Sequence, residues 1–257
     1  MTFRLRKDCV VIRESTIVIV IPAQAGIQTL SRRKQGTSYQ NTGCRIKSGM
    51  TTKLTREIMG NFFLIYLFAY LAGSVNFAII FFKLTGKEDP RLSFSGNAGT
   101  TNVYRQAGYF WATVILLLDI SRALGVAAVA VHFLEAKYLP WAAFFLVLGN
   151  SFPCFHGFHG GKGVANYLGF TVLIAPWAAL LAAAIWLVVY GIVRTTFIAS
   201  FFMIFTLSCG QAFTLGWNFS AVSGALATFL LILFNHRKNI INYRSGNKPI
   251  TPSTEEN

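Results

Sequence analysis

The sequence predicts an all-α integral membrane protein with about seven transmembrane helices and an N-terminus outside. Three observations support this prediction. First, 54% of the 257 residues are hydrophobic, only 12% are charged and the mean hydropathy is +0.51, values that are not typical of a soluble domain. Second, long apolar runs follow one another between residues 61 and 235. Third, the connections between these runs alternate between rich and poor in lysine and arginine.

Residues 1–58 differ from the rest of the chain, and we predict that they are a non-native or disordered N-terminal extension. They combine a short, interrupted apolar run with a basic stretch rich in Gly, Ser, Thr and Gln. The run is too short to span a bilayer, and charges inside it also weigh against the alternative of a signal peptide. Met59, or less favourably Met50, is therefore the expected native start. Residues 59–250 are predicted to form the membrane domain, and residues 251–257 a short polar tail.

The spans follow from the rule that about 20 apolar residues cross the hydrocarbon core of a bilayer. Seven candidates result, at residues 61–83, 110–134, 139–155, 164–176, 177–193, 196–216 and 219–235. The fourth candidate is short and abuts the fifth at Pro176, so these two form either a tight hairpin or one broken helix. Six or eight spans are therefore alternatives to seven.

The distribution of basic residues predicts the orientation, because cytoplasmic connections collect lysine and arginine. If the first span begins outside, the outer connections contain only Lys137, which Glu135 offsets. The inner connections then contain most of the basic residues, namely Lys87, Arg91, Arg105, Lys162, Arg194, Arg237, Lys238, Arg244 and Lys248. This asymmetry places the start of the first span outside and the basic connections in the cytoplasm.

Three polar segments interrupt the apolar runs, and this topology brings all three to the cytoplasmic face. The first polar segment, residues 95–105, contains glycines, hydroxyls, carboxamides and an arginine. The second polar segment, residues 157–163, contains one lysine among four glycines, and the third, residues 236–240, follows the last span directly. Bare backbone N–H groups, hydroxyls and a guanidinium fork are the groups that hold anions. Together the segments predict one anion-binding site.

Two ionisable residues inside a span require a reason, since charge is costly in a bilayer. Asp119 and Arg122 lie three residues apart and therefore share one helix face. We predict an internal ion pair that fixes helix packing, with a proton or substrate role as the alternative. Gly73 and Ser74 in the first span predict a close helix crossing.

The sequence also indicates what the protein lacks. The four cysteines have no metal-ligand spacing, so we predict no metal site, no disulfide framework and no cofactor. The net charge of +14 does not indicate a nucleic-acid partner, because nearly half of the 23 lysine and arginine residues lie in residues 1–58.

The polar segments resemble the signatures of a known family. The motifs are GS at 73–74, DPR at 89–91, SGN-x-G-x-TNV-x-R at 95–105, FP-x-F-x-GF-x-GGKGVA at 152–165 and HR-x-NI at 236–240. Their order and spacing closely resemble the bacterial membrane glycerol-3-phosphate acyltransferases that use acyl phosphate as donor. The resemblance covers about residues 60–250 and implies a cytoplasmic-side active site in the bacterial cytoplasmic (inner) membrane.

The resemblance implies an enzyme that transfers an acyl group from acyl phosphate to the 1-hydroxyl of glycerol 3-phosphate. Lysophosphatidic acid and inorganic phosphate would be the products of this first step of phospholipid synthesis. An acyl phosphate carries a good leaving group, so a held alcohol can attack it directly without an enzyme nucleophile. The implied catalytic residues are Ser95, Arg105, Lys162 and His236. The implied substrate-binding residues are Gly96, Asn97, Gly99, Thr101, Asn102, Gly160, Gly161, Gly163 and Asn239.

Each implied residue has an expected role. Ser95, Arg105 and Lys162, with loop N–H groups, would bind the two phosphates and stabilise the developing charge. The amides and hydroxyls of the first and third polar segments would orient glycerol 3-phosphate. Either His236 or a substrate phosphate oxygen would accept the proton.

The chain departs from the family pattern at a few positions. Asn150 stands where many members have histidine, and Arg122 stands where lysine is usual. Asn242 and Lys248 occupy places where arginine and glutamate would be expected. A catalytically altered paralogue is therefore one alternative. An organophosphate transporter is another, although the polar segments lie at one face and no internal repeat is evident. A CDP-alcohol transferase would need several spaced aspartates, which the sequence lacks.

Overall fold

The computed structural model describes residues 3–4, 9–14, 17–22 and 62–245. The chain divides into two units, Met1–Arg56 and Glu57–Asn257. Three strands of the first unit form an antiparallel sheet in the order β1–β2–β3. The strands are β1 (Phe3–Arg4), β2 (Cys9–Glu14) and β3 (Ile17–Pro22).

The strands of the first unit follow from local composition. Strand β3 begins with a run of five Ile and Val residues, two residue types that favour extended backbone. Strands β2 and β3 pair from Cys9 opposite Pro22 to Glu14 opposite Ile17. These strands were not predicted. The other residues of the predicted extension, 1–58, lie outside the described residues, and its non-native or disordered character stays a prediction.

The regular secondary structure of the second unit, among residues 62–245, is helical, as the sequence predicts. Its helices are α1 (residues 62–74), α2 (Phe77–Leu84), α3 (Thr100–Phe133), α4 (Leu139–Ser151), α5 (Val164–Ile174), α6 (Pro176–Val193), α7 (Thr196–Thr214), α8 (Phe219–Asn235) and α9 (Arg237–Arg244). Short 3-10 turns occur at Pro90–Leu92, Ala136–Tyr138 and Cys154–His156.

Five segments among the described residues are long and apolar enough to cross a membrane. They are Phe62–Leu84, Thr100–Phe133, Ala136–His156, Pro176–Val193 and Thr196–Thr214. A sixth is added if α8 and α9, which are bent by 46°, count as one span. Helix α5 has 11 residues, a length of about 16 Å, roughly half of the hydrocarbon core. The chain is a multi-pass membrane protein, but the predicted number of seven spans is not confirmed.

The first two spans each contain one break in their helical backbone, on either side of the connection between them. Helices α1 and α2 are separated at residues 75–76, where the Asn76 side chain caps α2 by accepting a 3.1 Å hydrogen bond from the N–H of Ile79. Helix α3 is kinked at Gly108, whose φ of 82° is accessible to glycine without strain. Both breaks lie beside polar residues, Ser74 and Asn76 at the first and Arg105 and Gln106 before the second.

Helices α1 and α4 cross closely at two glycines. A Cβ atom on Gly73 would overlap the carbonyl oxygen of Leu146, and one on Gly149 would overlap the carbonyl oxygen of Tyr70. Small residues on both sides allow the two backbones to touch, as is common between membrane helices. This reciprocal contact confirms the packing role predicted for Gly73.

A buried ionic network joins α3, α4 and α5. The Arg122 Nη2 atom lies 2.9 Å from Asp119 Oδ1, 2.7 Å from Asn166 Oδ1 and 3.3 Å from Asn150 Oδ1. Its guanidinium also lies 5.1 Å from the centre of the Phe77 ring. The predicted Asp119–Arg122 pair is therefore confirmed, and its two asparagine partners had not been predicted. Arg122 and Asn150, both departures from the family pattern, contact each other.

We expect Asp119→Asn to lower the amount of folded protein. The substitution leaves the Arg122 cation without its carboxylate inside the bundle, and breaking a buried pair from one side costs about 3–5 kcal/mol. The measurement is the yield of monodisperse protein from membranes together with its thermal unfolding temperature. Glu88→Gln, which removes an exposed carboxylate, is the matched control. A wild-type yield and stability for Asp119→Asn would contradict the packing role.

Candidate active site

A cavity of about 410 Å³ lies where the three polar segments meet. Helices α3, α4, α5, α6, α7 and α9 contribute to its wall, together with the residues before α3, those before α5 and the connection between α8 and α9. The lining residues that the sequence analysis predicted are Ser95, Asn97, Gly99, Thr101, Asn102, Arg105, Lys162, Gly163, His236 and Asn239. All four predicted catalytic residues therefore border one cavity.

Four helices of the described unit begin beside this cavity without a side-chain cap. Their N-cap residues are Gly99 for α3, Gly163 for α5, Thr195 for α7 and His236 for α9. The N–H groups of a first helical turn have no acceptor within the helix, and they carry the positive end of the helix dipole. Such ends attract anions, so the helix starts add to the positive potential of the cavity.

The helices that start at the opposite end of the bundle treat their first turns differently. Helix α8 is capped by Asn218, whose side chain accepts a 3.0 Å hydrogen bond from the N–H of Ser220. Helices α4 and α6 have Pro140 and Pro176 in their first turns, and proline lacks the donor that would need an acceptor. Proline supplies no acceptor and α4 and α6 have no side-chain cap, so of these three helices only α8 has a capped start.

Two cations face the cavity without a carboxylate partner among the described residues. Lys162 Nζ donates a 2.8 Å hydrogen bond to Asn239 Oδ1, and the Arg105 guanidinium lies 6.0 Å from the centre of the Phe94 ring. Burial, together with the nearby Arg105, lowers the pKa of Lys162 to about 8. The other titratable side chains in the cavity wall are Asp119 and His236. An entering anion would find two cations that are not already neutralised.

His236 is buried as a neutral ring. Its Nδ1 atom lies 2.8 Å from the carbonyl oxygen of Ile232, and a carbonyl oxygen only accepts, so Nδ1 carries the proton. Nε2 is then the unprotonated nitrogen. Burial, helped by the charge of Lys162, lowers the pKa of His236 to about 4. The ring also packs against Phe201 at a centroid distance of 5.3 Å.

Two glycines of the second polar segment pack against the backbone and do not line the cavity. The N–H of Gly160 donates to the Ser151 carbonyl at 3.1 Å, and the N–H of Gly161 donates to the Asn150 carbonyl at 2.9 Å. A Cβ atom on Gly161 would overlap the side chain of Asn150 and the carbonyl oxygen of Ala98. Their N–H groups are therefore engaged within the protein, and contact of these two glycines with substrate stays a prediction.

Gly96 is likewise absent from the cavity wall. Its N–H donates to the Ser93 carbonyl at 3.2 Å, and its φ of 65° lies in the left-handed region. The position therefore requires glycine for the turn of the first polar segment. Contact between Gly96 and substrate stays a prediction.

Asn102 holds the first polar segment in shape. Its Nδ2 atom lies 2.5 Å from the Pro90 carbonyl, 2.9 Å from the Asn97 carbonyl and 3.2 Å from the Ser93 carbonyl. The residue is almost completely buried, at 1% exposure. Its amide donors therefore organise the loop, while Asn97 and Ser95 lie at the cavity surface.

One side of the cavity is apolar, and sequence reasoning missed it. Its residues come from α3, α5, α6 and α7 and are Leu116, Val164, Leu168, Ala183, Trp186, Leu187, Phe197 and Met203. Nothing distinguishes such residues from other apolar residues of a span, so no sequence signal could have found them. Leu187 is 65% exposed, so the cavity reaches the outer surface of the bundle.

Three further lining residues connect the cavity to the packing of the bundle. Asp119, Asn150 and Asn166, three members of the buried ionic network, all border the cavity. Their oxygens accept hydrogen bonds from Arg122, which lies behind the wall. The two asparagines carry no sequence signal beyond their position, because a lone amide in a span is usually a packing residue.

Comparison with known proteins agrees with the motifs. The family model described as glycerol-3-phosphate acyltransferase matches residues 63–246. A glycerol-3-phosphate acyltransferase of Pseudomonas fluorescens is 39% identical over 189 residues, which cover 72% of this chain and 97% of that protein. One of Thiobacillus denitrificans is 34% identical over 189 residues, covering 71% and 94%.

The fold also matches a solved structure. It is the crystal structure of PlsY (YgiH), an integral membrane glycerol 3-phosphate acyltransferase, in its glycerol 3-phosphate form. The TM-score is 0.66 with 32% sequence identity, and the match covers 73% of this chain and 94% of the other. With three motifs at one cavity and matches across nearly the whole length of these relatives, the chain belongs to the glycerol-3-phosphate acyltransferase family.

Proposed function

We propose that the protein transfers an acyl group from acyl phosphate to the 1-hydroxyl of glycerol 3-phosphate, releasing inorganic phosphate and lysophosphatidic acid. One observation carries the proposal. A single cavity combines a cationic end, built from open helix starts and the unpaired Arg105 and Lys162, with an apolar side that reaches the bundle surface. These two surfaces match the phosphates and the acyl chain of the substrates.

The cationic end suits two phosphate groups. Gly99, Thr100 and Thr101 at the start of α3 lie with Ser95 and Arg105 in the cavity wall. The start of α5 lies with Lys162 and Asn239 on another side. Two separate sets of donors can each hold one anion, because hydrogen bonds to charged groups are roughly twice as strong as neutral ones. We assign one phosphate to each set.

The apolar side suits the acyl chain. Trp186 and Leu187 on α6 face the cavity together with Phe197 and Met203 on α7. Since Leu187 is exposed on the outer surface, a chain dissolved in the bilayer can enter sideways without crossing water. The lipid product can leave by the same route.

In the reaction, the 1-hydroxyl oxygen forms a bond with the acyl carbonyl carbon, and the bond from that carbon to the phosphate oxygen breaks. Negative charge grows on the carbonyl oxygen and then on the departing phosphate. Arg105, Lys162 and the helix starts stabilise this charge without reorganising, since they are already in place. Holding both substrates in one cavity supplies proximity and orientation. We propose no metal or cofactor for this chemistry.

The hydroxyl proton has two candidate acceptors. Nε2 of His236 is unprotonated, but its pKa of about 4 makes the ring a weak base. A phosphate monoester oxygen has a second pKa of about 6 and is the stronger base. We therefore favour a substrate phosphate oxygen, with His236 as a hydrogen-bonding partner that orients glycerol 3-phosphate.

We also propose seven crossings in the bacterial inner membrane, with the cavity on the cytoplasmic side and the first span starting outside. Helices α5 and α7 both begin at the cavity, so α5 and α6 lead the chain away from it and back. This path supports counting α5 as a crossing despite its 11 residues. We propose that residues 1–58 are dispensable for this seven-span topology.

Cysteines placed at Ser95 and at Ala136 should be labelled from opposite sides. In intact cells, with the native cysteines replaced by serine, we expect an impermeant thiol reagent to modify Ala136→Cys only, because the basic connections face the cytoplasm. Ser95→Cys should react only after the inner face is opened. Labelling of Ser95→Cys from outside would contradict the orientation.

The purified protein should use acyl phosphate without any thioester. We expect phosphate release that depends on glycerol 3-phosphate, with lysophosphatidic acid as the lipid product, because no enzyme nucleophile is needed for an activated donor. The measurement is initial phosphate release by protein in vesicles, with acyl-CoA as the comparison donor. Preference for acyl-CoA would contradict the donor assignment, and glycerol 3-phosphate flux without acyl transfer would favour a transporter.

Arg105→Ala and Lys162→Ala should each lower kcat by at least about tenfold, since a preorganised cation next to the charge that develops in the transition state contributes about 2–4 kcal/mol.

Because the pKa of Lys162 is lowered to about 8, its cation is lost as pH rises through 8. We therefore expect kcat/KM for glycerol 3-phosphate to fall above pH 8. Lys162→Arg keeps its charge at these pH values, so the fall should move upward.

Arg244→Ala, at an exposed position in the last turn of α9, is the control for both alanine variants. It should retain the wild-type rate and the wild-type pH profile. An unchanged alkaline limb in Lys162→Arg, or wild-type turnover in either alanine variant, would contradict the proposed role of these two cations.

A further inference from the structure

Residues 89–92 precede the first polar segment and connect it to the second polar segment. Asp89 caps the 3-10 turn Pro90–Leu92 by accepting a 2.9 Å hydrogen bond from the N–H of Arg91. The Arg91 side chain turns back onto the same carboxylate, with Nε 2.9 Å from Asp89 Oδ1 and Nη2 2.6 Å from Oδ2. This forked contact fixes the plane and direction of the guanidinium.

The remaining nitrogen of that guanidinium reaches the second polar segment. Arg91 Nη1 donates to the carbonyl oxygens of His156 at 2.7 Å and His159 at 2.8 Å. Between these two carbonyls lie Gly157 and Phe158, both with left-handed backbone, at φ 66° and 57°. A left-handed phenylalanine is strained, so the turn needs support from its surroundings. Arg91 supplies it at both ends of the turn.

The same segment is anchored to α3. The Pro90 carbonyl accepts hydrogen bonds from Asn102 Nδ2 and, at 3.1 Å, from Gln106 Nε2. Asn102 lies in the first turn of α3. The start of α3, the Asp89–Arg91 pair and the turn at residues 156–159 thus form one connected unit beside the cavity.

Arg91 itself stands outside the site. Neither Arg91, Asp89 nor the two histidines whose carbonyls it binds are among the residues that line the cavity. Past this turn, the chain leads through Gly160 and Gly161 to Lys162. A direct backbone bond, from the N–H of Ala98 to the Gly160 carbonyl at 3.3 Å, also joins the two polar segments.

We infer that Arg91, held in place by Asp89, is a positioning residue that sets the distance between the two cations of the site by clamping the turn at residues 156–159 against the start of α3. The inference rests on the proposed function, since it assigns Arg91 an effect on the binding of glycerol 3-phosphate. Without the clamp, the second polar segment moves away from α3, and Lys162 becomes better hydrated and more distant from Arg105.

The first consequence concerns rate. We expect Arg91→Gln to lower kcat/KM for glycerol 3-phosphate at least about tenfold, because displacing a binding group by about 1 Å can cost a hundredfold. Arg91→Lys should not restore the rate, since one ammonium group cannot form a fork with a carboxylate and also bind two carbonyls. Lys87→Gln removes an exposed cation from the same loop and is the matched control.

The second consequence distinguishes positioning from general stability. The pKa of Lys162 is low because the ammonium is buried and close to Arg105. In Arg91→Gln both causes weaken, so the alkaline limb of kcat/KM should move to higher pH. A mere loss of folded protein would lower the amplitude of the profile and leave the limb in place.

The experiment measures kcat, KM and the pH profile of the full chain in lipid vesicles, normalised to folded protein by thermal unfolding. Asp89→Asn keeps a capping side chain and loses the charge, so a smaller loss of rate and a smaller limb shift are expected. The double variant of Asp89→Asn and Arg91→Gln should lose little more rate than Arg91→Gln alone, because both substitutions remove the same Asp89–Arg91 contact. If Arg91→Gln does not fold, Asp89→Asn carries the test.

The inference would be overturned if folded Arg91→Gln or Asp89→Asn had the same alkaline limb and the same kcat/KM as Lys87→Gln. If the wild-type protein itself showed no acyl transfer, the proposed function would be overturned instead. The clamp is then tested by calorimetric titration with inorganic phosphate, where the inference expects at least about tenfold weaker binding in Arg91→Gln than in Lys87→Gln. Equal phosphate binding would overturn it.

Discussion

The first-turn N–H groups of a helix need an acceptor, and four helices leave this requirement open beside the cavity. Helices α3, α5, α7 and α9 start there without side-chain caps. In a membrane protein, water is scarce near helix ends that are enclosed by neighbours. Such ends are most stable when an anion satisfies them. The positive end of the cavity is thus built into the backbone as well as into side chains.

The polar segments could be predicted from sequence because polar residues stand out against apolar spans. Their convergence followed from the positive-inside rule, which puts alternate connections on one face. Lys162 and His236 therefore came out at one cavity although they lie on separate connections. The Asp119–Arg122 pair was found for the same reason, since ionisable groups in a span are rare and their spacing identifies a helix face.

Other features depend on tertiary contacts that leave no local signal. From sequence, a loop glycine indicates an N–H group that is free to bind a ligand. The N–H groups of Gly160 and Gly161 instead donate hydrogen bonds to carbonyl oxygens at the end of α4. The donors of Asn102 bind the loop that precedes it, while the residue also lines the cavity, so its predicted substrate contact stays a prediction. These contacts could not be predicted, because partners far apart in sequence are set by helix packing. The short α5 was predicted almost in full as the candidate at 164–176, because Gly163 and Pro176 flank its apolar run.

The burial of Lys162 connects these observations. Desolvating an ammonium group without a carboxylate is unfavourable, and among the described residues only the amide of Asn239 offsets it directly. The protein maintains this arrangement through rigid neighbours. Asn235 donates to the hydroxyl of Ser151 at 2.7 Å and to the Lys162 carbonyl at 3.4 Å, which ties α8 to the second polar segment. Under the proposed function, a phosphate that binds beside Lys162 offsets the cost of the buried charge, and relief of this cost contributes to substrate affinity. A permanent carboxylate beside Lys162 would instead stabilise the unliganded protein and compete with the substrate for the lysine.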